Sequence, residues 1–415
     1  MAMAGPGPGG AARRLGRTPV AFIVGLAVSG VVTLAVLVVA AQGQAVPTAI
    51  GLALAVIPVP VVLAGVLSLD RLEPEPVALL AATFGAGAAM AALAVLAAQA
   101  LGGRPVTAPE LGPGRLISTT LAAALGAAIV AETLKGTVLV TLLRFSRQEL
   151  DGTSDGVVYA SVTGLGFALV TNLYAYVHAE HTGMDALATA FVRRGLLAPL
   201  WGPLFTSLIG VGVSYAAMRR GRRGLWAVGA GWIAAVALHT MWNYSLTAGA
   251  TRLAVVYGIL LAVLAALLVA VVADRRRIVA LIRGCLPLPA APDLAASTDV
   301  EMLASLRWRR LARHWARLHW GLAGRRAMAD YQLAATELAL VCNRADRDLV
   351  LPAAFAARRD DSIALMRAAI SVLHDGQPRL RQPPWARRAA SVFGSSPGPG
   401  WNVPQSGGQD GAASG

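Results

Sequence analysis

Apolar residues come in long uninterrupted runs, separated by short polar, Arg-bearing or Gly/Pro-bearing breaks. The first run extends from Pro19 to Ala41. Others follow at 46–68, 77–99, 116–143, 155–177, 196–217, 225–247 and 252–273. Each is long enough to cross a hydrocarbon layer of about 30 Å as a helix. Open strands would leave backbone groups unpaired in lipid, so the pattern predicts an all-α polytopic transmembrane bundle of about eight spans. The first run is too long for a signal-peptide core and lacks a convincing cleavage site, so it reads as a retained anchor.

Beyond residue 275 the pattern changes. Residues 306–322 place Trp308, Leu311, Trp315, Leu318 and Leu322 at steps of three and four, with Arg and His between them. Such a basic amphipathic helix suits a membrane surface. It equally suits packing against Tyr331–Val341 in a small helical hairpin, and both readings stay open. The expected organisation is a disordered basic N-terminus (1–18), a transmembrane domain (19–275), a basic helical tail (276–394) and a disordered C-terminus (395–415).

Composition strengthens this picture. The chain is 56% hydrophobic and 14% charged, against about 25% charged in soluble domains. Its net charge of +14 is almost entirely arginine-borne and sits between spans. With the N-terminus inside, the cytoplasmic segments hold Arg13, Arg14, Arg17, Arg71, Arg144, Arg147, Arg219, Arg220, Arg222, Arg223 and Arg275–Arg277. The opposite side holds Arg104, Arg115, Arg193, Arg194 and Arg252. That asymmetry predicts a multi-pass plasma-membrane protein with both termini cytoplasmic. Arg193 and Arg194 suggest that the 178–195 loop re-enters or lies at the interface. The charge implies an anionic lipid surface as partner of the tail rather than nucleic acid. Cys285 and Cys342 give no disulfide framework and read as free thiols.

Polar residues inside the runs are few, and each is costly enough to need a reason. Glu132 and Lys135 sit three apart on one helical face, as an ion pair would. His239 and Asn243 sit four apart on another, and Thr171 and Asn172 are adjacent on a third helix. A glutamate and a histidine on separate helices suit water activation or metal binding. Glu132 and His239 are the candidate metal ligands. A catalytic zinc takes three protein ligands, so these two would hold zinc weakly or not at all. Gly156, Gly164 and Gly166 on one span, and Gly202, Gly210 and Gly212 on another, point to close helix packing.

The segments DRLEPEP (70–76), AETLKG (131–136), GLGFALVTNLY (164–174), FVRRGLLAPLWGPLFTSLIG (191–210) and LHTMWN (238–243) occur in an order that resembles the PrsW family of intramembrane proteases. The resemblance covers about residues 19–275. It implies a membrane peptidase, related to the CAAX-processing peptidases, that cuts membrane-anchored proteins such as anti-sigma factors. It also implies catalytic roles for Glu132, Lys135, His239 and Asn243. Three positions depart from the family pattern. Ala131 replaces the first glutamate of Glu-Glu-x-x-Lys, Thr171 the glutamate of Phe-x-x-x-Glu-Asn, and Gly202 a histidine. Together these predict an impaired or inactive enzyme, or a non-catalytic homologue that binds membrane segments or partner proteins.

Overall fold

The computed structural model describes residues 45–70, 72, 74–100, 116–219, 221–246, 249–286, 294–295, 297–349 and 352–374. The expected first span (19–41) and both expected disordered termini lie outside these residues. So do Arg71, Arg104, Arg115 and Arg220. Every regular element among the described residues is helical, and seven helical segments are long and apolar enough to cross a membrane. The chain divides into two compact units that part at residues 275/276.

In the apolar unit the helices are α1 (Ala45–Val56), α2 (Pro58–Leu67), α3 (Val77–Ala100), α4 (Leu116–Phe145), α5 (Thr153–Glu180), α6 (Met184–Phe191), α7 (Trp201–Ala217), α8 (Arg222–Ser245) and α9 (Ala250–Cys285), the last continuing past residue 275. Pro58 has no N–H to donate and breaks one span into α1 and α2. The expected 196–217 run is longer than the sequence indicated: α6 feeds through a π turn, Val192–Leu196, towards α7.

The innermost helix is α5, flanked by α1, α2, α3, α4 and α7, while α8 packs on α4 and α7. Glycines set the spacing. A Cβ on Gly156 or on Gly210 would fall inside contact distance of the other's backbone, and Gly87 stands in the same relation to Thr163. Only residues without a side chain let these backbones approach so closely.

One end of the bundle is knitted by polar contacts. Arg147 donates to the carbonyls of Ala216 (3.0 Å), Ala217 (3.0 Å) and Arg219 (2.7 Å), satisfying groups at the end of α7 that the helix leaves open. Arg275 donates to the carbonyl of Leu69 at 3.0 Å. At the start of α5, Asp155 Oδ2 accepts the N–H groups of Asp151 and Gly152, at 2.6 and 2.7 Å. Ser154 donates its N–H and Oγ–H to Asp274 Oδ2.

The second unit carries α10 (Ser297–Leu303), α11 (Leu306–Ala345) and α12 (Pro352–His374). Helix α11 breaks at Trp320 and Gly321 and folds back as a hairpin. Gln332 Nε2 donates to the carbonyl of Arg309 (3.0 Å), and Arg309 reaches Thr336 Oγ1 at 2.7 Å and the carbonyl of Leu303 at 2.6 Å. Of the two readings left open for 306–322, packing against 331–341 is therefore realised. Trp315 is buried in the hairpin, whereas Leu318 and Leu322 stay 69% and 58% exposed. Cys285 and Cys342 are unbridged and hydrogen-bonded to each other; burial and the neighbouring Cys285 push the Cys342 thiol up to about 11.

The hairpin turn depends on Gly321, whose φ of 64° and ψ of −147° are open essentially to glycine alone. Gly321→Ala is expected to destabilise this unit by about 1–3 kcal/mol. Faster amide exchange over 306–341, with α3–α8 unchanged, is the measurement that checks it.

Candidate functional site

One cluster of buried charges in the apolar unit centres on Glu132 of α4. Its side chain is 0% exposed, and Lys135, one turn on, is 2% exposed. The Lys135 ammonium donates to Glu132 Oε1 at 2.6 Å, as the i,i+3 spacing on one face requires. His239 Nδ1, carried by α8, lies 2.7 Å from the same oxygen. Thr206 on α7 approaches Oε2 at 3.4 Å and donates more closely, at 3.1 Å, to the carbonyl of Gly202. Three helices thus deliver polar groups to one carboxyl, and low-dielectric surroundings strengthen each contact.

Apolar and aromatic groups fix these side chains. Phe205 stacks on His239 with ring centroids 5.0 Å apart, and the Lys135 ammonium stands 5.3 Å from the centre of the Phe167 ring. Trp232 donates to Thr133 Oγ1 at 3.1 Å, tying α8 to α4 beside the site. At 19% exposure His239 is the most open member of the triad. An ionised carboxylate can only accept, so a Glu132 that accepts from the Lys135 ammonium also accepts a hydrogen bond from His239 Nδ1–H. The second histidine nitrogen, Nε2, is then the acceptor.

The sequence candidates are distributed as follows. Glu132, Lys135 and His239 are in mutual contact through Glu132 Oε1. Asn243 lies one turn beyond His239 on α8 and is partly buried. The three positions that depart from the expected motifs border the same region. Ala131 precedes Glu132 and is buried with Ala88, Ala91, Ala92, Phe167 and Val170. Thr171 is one turn past Phe167 and turns its hydroxyl onto the carbonyls of Phe167 and Ala168. Gly202 is one turn before Thr206, and a Cβ there would meet only ordinary contacts, 3.8 Å from Ala168 Cβ and the Gly164 carbonyl. Thr206, Phe205 and Trp232 were not singled out from the sequence. Thr206 follows Gly202 by four residues, and that spacing was the available signal.

A zinc ion fits this site poorly. Two protein ligand atoms fall short of the three that a catalytic zinc takes, and a lysine ammonium already occupies one of the two carboxylate oxygens. Among the described residues, the group of three whose ligand atoms could meet on one ion is Asp70, Glu75 and Asp155, within 4.8 Å of one another. Its all-oxygen donors suit a hard cation rather than zinc. Burial, and then the Asp155 carboxylate, push the Glu75 carboxyl well above its usual range; Tyr159 donates a short hydrogen bond to it. This group sits at the start of α5. Phe167, whose ring faces Lys135, is twelve residues further along, about 18 Å of helix.

Neither a curated protein nor a solved structure matches the chain. Residues 75–272 match the family model described as PrsW family intramembrane metalloprotease. This stretch spans α3 to the apolar part of α9 and includes Glu132, Lys135, His239 and Asn243. Across residues 75–272 of its membrane helices, the chain is therefore similar to the PrsW family of intramembrane metalloproteases.

Proposed function

We propose that this multi-pass membrane protein engages membrane-anchored proteins, of the anti-sigma-factor kind, at a peptidase site that has eroded to the point of impaired or absent hydrolysis. The observation that carries this reading is the engagement of Glu132. Its Oε1 is held by both Lys135 and His239, with Thr206 near Oε2, so it is poorly placed to activate a water. Next to it, where the family pattern has the first glutamate of its pair, Ala131 lies among apolar side chains. The Glu132–Lys135–His239 cluster is then a structural remnant that holds α4 and α8 together around a segment-binding site. The domain extends over 19–275 in the plasma membrane with both termini cytoplasmic, and the basic region 276–394 engages the anionic leaflet.

A second reading, a working endopeptidase, draws support from the orientation of His239. A carboxylate on Nδ1 with Nε2 left as acceptor is the arrangement in which a histidine serves as general base. In that case Glu132 and Asn243 orient the histidine and Lys135 neutralises the carboxylate.

Co-expression with tagged single-span membrane proteins in vesicles separates the two. The eroded-site reading expects photo-crosslinking from position 202 to capture a segment that is not cut. It also expects cleavage to rise at least a hundredfold in Ala131→Glu/Thr171→Glu/Gly202→His, where acid and imidazole groups return, given the 10²–10⁴-fold typical of general acid–base catalysis. Cleavage by the unaltered protein that Glu132→Gln and His239→Ala both abolish would overturn it.

A further inference from the structure

The helical hairpin of α11 leaves unused a surface whose parts come from both arms. Residues 306–326 hold seven arginines and neither Asp nor Glu. Arg309 is drawn inward to Thr336 and the Leu303 carbonyl, while Arg307, Arg310, Arg317, Arg325 and Arg326 are exposed. Arg313 is half-buried, and its guanidinium is pushed down by burial and by the charges of Arg310 on its own arm and Arg325 on the other. Like charges are thus gathered across the hairpin at a cost that a counter-anion would remove. Leu318 and Leu322 flank the break at Trp320 and Gly321, one on each arm, and stay outside the hairpin core.

Cations beside exposed leucines at a turn match an anionic bilayer, which offers phosphate at the surface and hydrocarbon just below it. A nucleic acid would satisfy the arginines and leave the leucines in water. Chain connectivity points the same way. Helix α9 runs without interruption from its apolar stretch through Arg275–Arg277 to Cys285, and twenty residues (286–305) separate its end from α11. We propose that the α11 turn docks on an anionic lipid leaflet, Leu318 and Leu322 entering the interface and Arg310, Arg313 and Arg325 meeting the headgroups. This rests on the reading above that the basic region engages that leaflet, and it names the contact.

The test is amide hydrogen exchange of the full-length protein in nanodiscs of phosphatidylcholine, with or without a large fraction of phosphatidylglycerol. Exchange at 317–326 is expected to slow severalfold only in the anionic discs and to recover at high salt. Each arginine neutralised in the series Arg310→Gln, Arg313→Gln, Arg325→Gln should lower the docked-to-free ratio about fivefold. Leu318→Asn/Leu322→Asn should abolish the protection while 327–341 stays protected, which separates lost docking from lost folding. Slowing elsewhere in 276–374 but not at the turn would overturn this contact and leave the broader reading standing. No slowing anywhere in the region would overturn both. Protection that is equal in the two lipids and indifferent to salt, or that arises only on adding RNA, would also overturn the proposal.

Discussion

Lys135→Met is expected to destabilise the protein by about 3–5 kcal/mol, the usual cost of removing one partner of a buried ion pair. The reason is the state in which it leaves Glu132. That carboxyl is fully enclosed, and the ammonium 2.6 Å away is the cation that balances it. Thr206 at 3.4 Å is too distant to compensate, and His239 could do so only by taking up a proton. The double variant Lys135→Met/Glu132→Gln removes the stranded charge and keeps a hydrogen-bonding group facing His239. It should return to within about 1 kcal/mol of the parent, since neutral replacement of a whole buried pair is often harmless. Unfolding in mixed micelles, followed by tryptophan fluorescence across an SDS titration, gives both numbers. A Lys135→Met change below about 1 kcal/mol would show that the charge is relieved another way.

The second large effect falls on the contact between α5 and α7. Gly156→Ala and Gly210→Ala are each expected to cost about 1–3 kcal/mol, because the added methyl meets the facing glycine's carbonyl, and at Gly156 also the Ser214 hydroxyl. The two changes strike one contact, so the double variant should cost less than the sum. Gly65→Ala and Gly258→Ala provide the control: both glycines are helical and nothing lies within 4 Å of a Cβ there. Those variants should be neutral or stabilised by up to about 1 kcal/mol through helix propensity. The same SDS titration compares all four. Equal losses at all four positions would mean that close approach does not set the result.

This contact also bears on the site. Helix α7 carries Gly202, Phe205 and Thr206, and its distance from α5 is fixed by Gly156 and Gly210. Widening that gap would draw Thr206 and the Phe205 ring away from Glu132 and His239. Loss of segment capture at position 202 in Gly210→Ala protein would link packing to binding.

The sequence by itself determined the helical membrane class, the positions of the seven described spans and the i,i+3 pairing of Glu132 with Lys135. All of these follow from run length and from the 3.6-residue turn, which are local properties. The motif order likewise led to the family that residues 75–272 match. Tertiary structure decided what depends on neighbours from other helices. The approach of His239 to the same oxygen as Lys135, the stacking of Phe205 and the approach of Thr206 join α4, α7 and α8, and no spacing along one helix encodes them. The fate of 306–322 was decided in the same way: its amphipathic pattern fits a bilayer and a protein partner equally, because both present an apolar surface. The bend at Gly321 and the bond from Gln332 to the Arg309 carbonyl committed Trp315 to the hairpin core and left Leu318 and Leu322 outside it.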